Sequence, residues 1–348
     1  MKIVLFLGAG FSRAWGLPVM KEFFQHAKDS TYLTEEDKSF LRELQSRAQR
    51  GVSMYQVGRD NLEGILSFCL AESQFGTGYP DKSNDEYKML CRILQKVYRQ
   101  MDFSKLAVRL DNLLVRCWQL FDKKQGAPPP SYELDVITTN YDIMAECCLT
   151  NIGFQLRLPG LWLPIDTQLP FTTIPLYTTD SKSVLLCKLH GSLNWYSDSN
   201  NEYRLRIESN AMLVQIKSAN EYVRFIFPQV STSDYKPPGE PIIVPPTFFK
   251  MQTYSYFQNI WSSAGEMLRK ADKLVFIGYS FPDSDVHMRY FLAANLYENV
   301  DLRSIDIVDP NAVDICSNLR QSDFGIHFKE RLNAVGGKWE ENQYCINR

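Results

Sequence analysis

The sequence lacks a strong net charge, and no apolar run in it approaches the length of a membrane-spanning helix. The formal net charge is -2 over 348 residues, so no global basic field favours nucleic acid as a partner. A membrane-spanning helix needs about 20 consecutive apolar residues. We therefore expect neither a membrane partner nor a direct nucleic-acid partner for this chain.

Cysteine pairs of the zinc-binding type are also missing. None of the eight cysteines belongs to a C-x-x-C pair, a spacing typical of structural zinc sites. The cysteines are scattered, and most lie in apolar stretches: Cys69, Cys91, Cys117, Cys147, Cys148, Cys187, Cys316 and Cys345. Reduced, buried thiols are typical of cytosolic proteins, so we expect a cytoplasmic protein without a metal site.

Short apolar runs predict a parallel sheet. Residues 2–7 and 134–140 have the nearly continuous apolar pattern of strands buried on both faces. The first run is at the short limit for a secretion signal, and two glycines interrupt it at once, so we prefer a strand. Strand, turn and helix patterns return at 273–297 and again at 304–319.

Two long segments separate these strands. In the first, apolar residues three and four apart predict several helices. Thr34, followed by two glutamates, is typical of a capped first turn, and Asn84 and Ser104 are natural N-caps of later helices. The second segment has the short alternating pattern of small strands. We expect one Rossmann-like α/β domain over residues 1–348, with a helical insertion at 18–130 and an irregular β-meander insertion at 155–250.

Small or polar residues follow the predicted strands. The segments concerned are Gly8–Ser12, Thr138–Asp142, Gly278–Ser280 and Asp309–Pro310. Ligands of open parallel sheets bind outside the carboxyl ends of the strands, so the four segments together predict one site. His190 ends a further strand, in "KLHGS".

Each of these segments also has a structural interpretation. Gly8 and Gly10 would let the backbone approach a phosphate at a helix N-terminus, but a tight turn needs the same residues. Arg13 stands where the dehydrogenase fingerprint requires its third glycine, so that fingerprint fails. Asn140 or Asp142 could cap the next helix. The Asp-Pro pair after the last strand is a common turn, and a lone histidine is usually structural.

Five short motifs, "GAGFS", "GLP", "TTNYD", "KLHGS" and "GYS", occur in that order along the chain. Together they resemble the motif series of the sirtuins, and in particular the bacterial sirtuin-like branch whose members consume NAD in antiviral defence. Protein-deacylating sirtuins carry two zinc-binding C-x-x-C pairs and continue the "GLP" segment to Phe-Arg. This chain has neither feature, since "VMKEFF" follows "GLP". The resemblance therefore implies NAD cleavage without zinc and puts deacylation in doubt.

The resemblance also implies roles for individual residues. Asn140 would hold the ribose or a water molecule by its amide, and Asp142 would orient the site or stabilise developing charge. His190 would act as general base, a task that suits imidazole because it titrates near neutral pH. The implied NAD-binding residues are Gly8, Ala9, Gly10, Phe11, Ser12, Pro18, Thr139, Gly278, Ser280 and Asp309.

The expected function is that of an NAD hydrolase, which releases nicotinamide as a regulated effector of bacterial anti-phage defence. An unregulated enzyme of this kind would kill its host. We therefore expect control by assembly, either in a homo-oligomer or with a partner such as a HerA-like DNA translocase or an Argonaute-type sensor. Two alternatives stay open: a non-catalytic module that senses NAD or a related nucleotide, and a zinc-free NAD-dependent deacylase.

Overall fold

A computed structural model gives the fold of the chain. It describes residues 1–52, 62–75, 80–98, 133–151, 155–157, 183–198, 201–207, 213–217, 222–226, 241–244, 255–282, 285–322 and 327–339. The described strands are β1 (Lys2–Leu7), β2 (Glu133–Thr138), β3 (Gln155–Arg157), β4 (Ser183–Lys188), β5 (Gly191–Asp198), β6 (Asn201–Ile207), β7 (Leu213–Lys217), β8 (Tyr222–Ile226), β9 (Pro241–Ile243), β10 (Lys273–Ile277), β11 (Ser304–Asp309) and β12 (Leu332–Gly336).

Seven parallel strands form the central sheet, in the order β12-β11-β10-β1-β2-β4-β3. β1 lies in the middle of the sheet, with β2 on one side and β10 on the other. The strands thus continue from β1 towards one edge of the sheet and later from β1 towards the other edge. Where the strand order reverses in this way, a crevice forms at the carboxyl ends of the strands. The predicted α/β parallel-sheet fold is confirmed.

Helices cover both faces of this sheet. They are α1 (Ala9–Ser12), α2 (Phe23–Asp29), α3 (Glu35–Val52), α4 (Leu62–Phe75), α5 (Pro80–Tyr98), α6 (Met144–Asn151), α7 (Ser255–Arg269), α8 (Val286–Tyr297) and α9 (Ala312–Gln321). Side chains of β1 alternate between the two layers, as the period of a strand requires. Ile3, Leu5 and Leu7 pack in a core with α2 to α6, whereas Val4 and Phe6 pack with α7 to α9.

Thr34 caps α3 as predicted. Its hydroxyl accepts a hydrogen bond from the Asp37 amide at 3.1 Å, and its own amide donates to the Asp37 carboxylate at 3.0 Å. The N-cap prediction for Asn84 is wrong, because α5 already begins at Pro80, and proline is favoured in the first turn of a helix. Ser104 lies outside the described residues.

The segment 155–250 contains more than a meander. Antiparallel pairs join β5 to β6, β5 to β9 and β7 to β8, in keeping with the predicted small strands. β3 and β4, however, pair in parallel within the central sheet. The segment is therefore not wholly an insertion, while the single-domain division of the chain stays a prediction.

The cysteines of the described residues that are free and buried are Cys69, Cys91, Cys148, Cys187 and Cys316. Within the described ranges, no helix is both long and apolar enough to cross a membrane.

Candidate active site

The loop after β1 packs backbone to backbone against the loop after β10. The Gly8 amide donates to the Ile277 carbonyl at 3.0 Å, and the Gly10 amide donates to the Gly278 carbonyl at 2.9 Å. Gly278 has a left-handed φ of +63°, and a Cβ placed there would lie 2.3 Å from the Phe11 nitrogen. The glycines are thus explained by this close approach, and two amides expected to bind phosphate donate to protein carbonyls instead.

Asn140 joins the ends of β1 and β2. The Thr138 hydroxyl donates to the Leu7 carbonyl at 3.0 Å and accepts from the Asn140 backbone amide at 3.1 Å. The side-chain Nδ2 of Asn140 donates to the Gly8 carbonyl at 2.8 Å and to the Ser12 hydroxyl at 3.0 Å. Both amide hydrogens are therefore used. Since no described residue donates to Oδ1, the group that Asn140 can offer to a ligand is an acceptor.

Asp142 continues this network into the next helix. Its Oδ1 accepts from the Met144 amide at 2.9 Å, at the first residue of α6, which supports the capping interpretation. Burial raises the pKa of the Asp142 carboxyl, while the charge of Lys188 and hydrogen bonds from Met144 and Ser12 oppose that rise. Asp142 therefore caps α6 and also belongs to the candidate site.

His190 lies at the adjacent strand end. The Leu189 amide donates to the Thr138 carbonyl at 2.9 Å, and the His190 carbonyl accepts from the Val244 amide at 2.8 Å. The His190 side chain is 1% exposed, and its ring centroid lies 6.1 Å from that of Tyr141. β4 thus brings the imidazole to the same edge of the sheet as Asn140.

Phe11 and Pro18 contribute chiefly to the core. Phe11 is buried and stacks on Trp339, with 4.9 Å between the ring centroids. The Trp339 indole nitrogen donates to the Phe11 carbonyl at 3.0 Å. The carbonyl of Pro18, which is also buried, accepts from the Tyr98 hydroxyl at 3.4 Å. Ala9, in the same loop, is half-buried.

The remaining expected residues are Thr139, Ser280 and Asp309. Thr139 is buried, and its amide donates to the Leu7 carbonyl at 3.2 Å. Ser280 is exposed. Asp309 ends β11, two strands away from β1, and its carboxylate accepts from the Asn311 amide at 2.8 Å, which is the turn interpretation. The structure thus brings together Gly8, Gly10, Ser12, Asn140, Asp142, His190 and Gly278.

Two features of the site escaped prediction. Lys188, in the otherwise apolar run "SVLLCK", is fully buried, and a lysine in a buried strand is a signal that the sequence offers. Gln95 of α5 donates to the Leu193 carbonyl at 2.9 Å, which ties α5 to β5, the strand that begins directly after His190. Gln95 and Leu193 are 98 positions apart in the sequence, so no local sequence pattern predicts their contact.

Comparison with known families agrees with this geometry. In the described part of the chain, no three His, Cys, Asp or Glu side chains are grouped to hold a metal ion; the expectation that zinc is absent stays a prediction. No curated protein matches the sequence. A family model described as "SIR2-like domain" matches residues 135–319, just over half of the chain, including Asn140, Asp142 and His190. Proteins with this domain use NAD. The chain belongs to the SIR2-like domain family.

Proposed function

We propose that the protein is an NAD hydrolase that releases nicotinamide. The observation that carries the proposal is the placement of Asn140 and His190 at the ends of neighbouring strands β2 and β4, in a family that uses NAD. Hydrogen bonds to Gly8 and Ser12 fix the Asn140 amide with its oxygen as the available atom. A fixed acceptor and an imidazole at neighbouring strand ends suit the activation of a hydroxyl group or a water molecule.

The reaction breaks the bond between the nicotinamide nitrogen and the ribose C1′. The bonding electrons leave with nicotinamide, and positive charge develops on the ribose. Water adds to C1′ and loses a proton, so the products are nicotinamide, ADP-ribose and one proton. In the proposed roles, His190 takes that proton and the Asn140 oxygen orients the water or a ribose hydroxyl. The ionised Asp142 carboxylate would favour the positive charge on the ribose.

The test is nicotinamide release from NAD, followed by chromatography at enzyme concentrations up to that of NAD. Asn140→Ala and His190→Ala are expected to lower the rate at least about 100-fold, because each removes a positioned group. Asn299→Ala is a matched control, since the buried Asn299 amide also donates to two carbonyls, of Leu268 and Ala271, at 2.6 and 2.8 Å. His26→Ala, at an exposed histidine of α2, is the second control.

Both control variants are expected to keep the wild-type rate, even if Asn299→Ala lowers the melting temperature as much as Asn140→Ala does. Wild-type rates in Asn140→Ala and His190→Ala would contradict the assigned roles. Binding of NAD without release of nicotinamide by wild-type protein would favour the sensing module. Loss of acyl groups from a peptide only in the presence of NAD would favour the deacylase.

We further propose that the activity is a regulated effector of anti-phage defence in the bacterial cytoplasm, controlled by a homo-oligomer or by a partner. The motif series that resembles the bacterial NAD-consuming branch supports this proposal. The particle mass should be measured with and without a HerA-like translocase or an Argonaute-type sensor, beside the NAD cleavage assay. Full activity of the isolated monomer would contradict control by assembly.

A further inference from the structure

We propose that Lys188 is a positioning residue of this site. Its ammonium group holds Asp142 and the first turn of α6 against the end of β4, so that Asn140, Asp142 and His190 keep one arrangement. The inference rests on the proposed NAD hydrolysis and extends it to a residue outside the predicted site.

Lys188 lies where the two strand ends meet. It is the last residue of β4, and it pairs in register with Thr138, the last residue of β2. Asn140 follows Thr138 by two positions, and His190 follows Lys188 by two positions. A shift of β4 against β2 would therefore move His190 relative to Asn140, and a bond from Lys188 to the segment after β2 opposes such a shift.

The side chain of Lys188 makes that bond. It is 0% exposed, and its Nζ donates to the Glu146 carboxylate at 2.7 Å. Nζ also donates to the backbone carbonyl of Asp142. Glu146 belongs to the first turn of α6, so one ammonium group fixes both the residue that caps the helix and the turn that follows it.

Stability alone gives little reason for a lysine at this position. Removing an ammonium group and a carboxylate from water costs several kcal/mol per ion, and apolar residues of similar volume often replace a buried ion pair without loss of stability. Leu186, whose side chain lies on the same face of β4 as Lys188, is buried in the apolar core with α2 to α6, so apolar side chains in place of both Lys188 and Glu146 would extend that core. A buried lysine is better explained by what it holds in place.

Charge gives Lys188 a second effect on the site. Asp142 is faced by Lys188 from β4, by Glu146 from its own helix, by Ser12 from α1 and by the Tyr98 hydroxyl from α5. Burial raises the pKa of both Asp142 and Glu146, and the Lys188 charge opposes both rises. Loss of this charge would keep Asp142 protonated to higher pH, and a neutral carboxyl group cannot favour positive charge on the ribose.

If Lys188 had only a structural role, it would serve only to neutralise Glu146. Variants can separate that role from the proposed positioning of the site. Lys188→Met removes the charge and leaves Glu146 buried beside no ammonium group. Lys188→Met with Glu146→Gln removes both charges of the ion pair and leaves the Asp142 carboxyl without the Lys188 charge. Lys273→Met is the matched control, because Lys273 pairs with Asp306 at 2.8 Å and both side chains are nearly buried. Lys273 begins β10 and so lies at the opposite edge of the sheet.

The experiment measures kcat and KM for nicotinamide release against pH, together with the melting temperature, for wild type and these variants. In Lys188→Met we expect kcat at pH 7 to fall at least about 10-fold, and the acid limb of the profile to move up by about one pH unit or more. The double variant should regain melting temperature but not kcat. Lys273→Met should lose melting temperature and keep the wild-type kcat and pH profile.

Recovery of kcat in the double variant, or an unmoved acid limb in Lys188→Met, would overturn the inference while wild-type activity still supports the proposed function. If wild-type protein releases no nicotinamide, the proposed function fails instead. Calorimetric titration with NAD then decides the inference: pH-dependent weakening of binding in both Lys188 variants supports it, and unchanged binding overturns it.

Discussion

Substitution of Gly278 by alanine tests whether the glycines of the site serve packing or phosphate binding. The residue has φ +63°, a conformation that costs a non-glycine residue about 1 kcal/mol or more. The added Cβ would lie 2.3 Å from the Phe11 nitrogen and 2.4 Å from the Gly10 carbonyl carbon. Since these are backbone atoms, no side-chain rotation relieves the overlap, and the two loops must separate by about 1 Å.

That separation would break the hydrogen bond of 2.9 Å between the Gly10 amide and the Gly278 carbonyl. A buried group that loses its partner costs about 1–3 kcal/mol. With about 1–2 kcal/mol of backbone strain, the free energy of unfolding should fall by about 2–5 kcal/mol in total. In a chain of this size each kcal/mol lowers the melting temperature by about 2 °C, so we expect a decrease of about 4–10 °C.

Thermal unfolding of Gly278→Ala, Gly10→Ala and Gly336→Ala measures this effect. At Gly10 the new Cβ would lie 2.7 Å from the Gly278 Cα, whereas at Gly336 it meets no atom within 4 Å. Gly336→Ala should therefore change stability by no more than about 0.5 kcal/mol. Variants of Gly278 and Gly10 that melt like wild type and lose only NAD affinity would refute the packing explanation and restore the phosphate cradle.

Three further predictions concern contacts around the site and in the helical segment. Trp339→Phe keeps an aromatic ring against Phe11 but leaves the Phe11 carbonyl without its donor, so the urea midpoint should fall by the equivalent of about 1–2 kcal/mol. Thr34→Ala removes the cap of α3 and should cost about 1 kcal/mol in the same assay. Burial would raise the pKa of Asp37, but hydrogen bonds from Lys96 and Thr34 hold it below its ordinary value of 3.8. A lowered pKa stabilises the fold above that value, so the advantage of wild type over Asp37→Asn should shrink as the pH falls below 3.8.

The architecture was largely predictable because buried parallel strands leave a strong pattern. Continuous apolar runs marked β1 and β2 to within two residues, and parallel strands carry the residues that follow them to one edge of the sheet. From the sequence alone, that reasoning predicts that Asn140 and His190 lie at the same edge of the sheet. The strand order and the contact of Gln95 with β5 could not be predicted, because neither has a local sequence pattern.

The same local reasoning misjudged residues whose role depends on a distant neighbour. Gly8 and Gly10 suggested a phosphate turn, yet their closest constraint is Gly278, far along the chain. Asn84 has the side chain of an N-cap, but Pro80 already starts α5 and places Asn84 inside it. Lys188 was overlooked because a lysine at a strand end usually reaches solvent, and its partners Asp142 and Glu146 are apparent only once β4 lies beside β2.

The network around Asn140 also determines how the variants must be interpreted. Ser12, Asn140 and Asp142 each make hydrogen bonds that tie strand ends or cap a helix, so alanine at any of them removes architecture together with chemistry. The Asn299 amide makes two comparable donations away from the strand ends. The ratio of nicotinamide release between Asn140→Ala and Asn299→Ala, compared at equal loss of stability, therefore separates the effect of Asn140 on the site from a general loss of stability. A ratio near one would mean that Asn140 holds the loops and takes no part in the reaction.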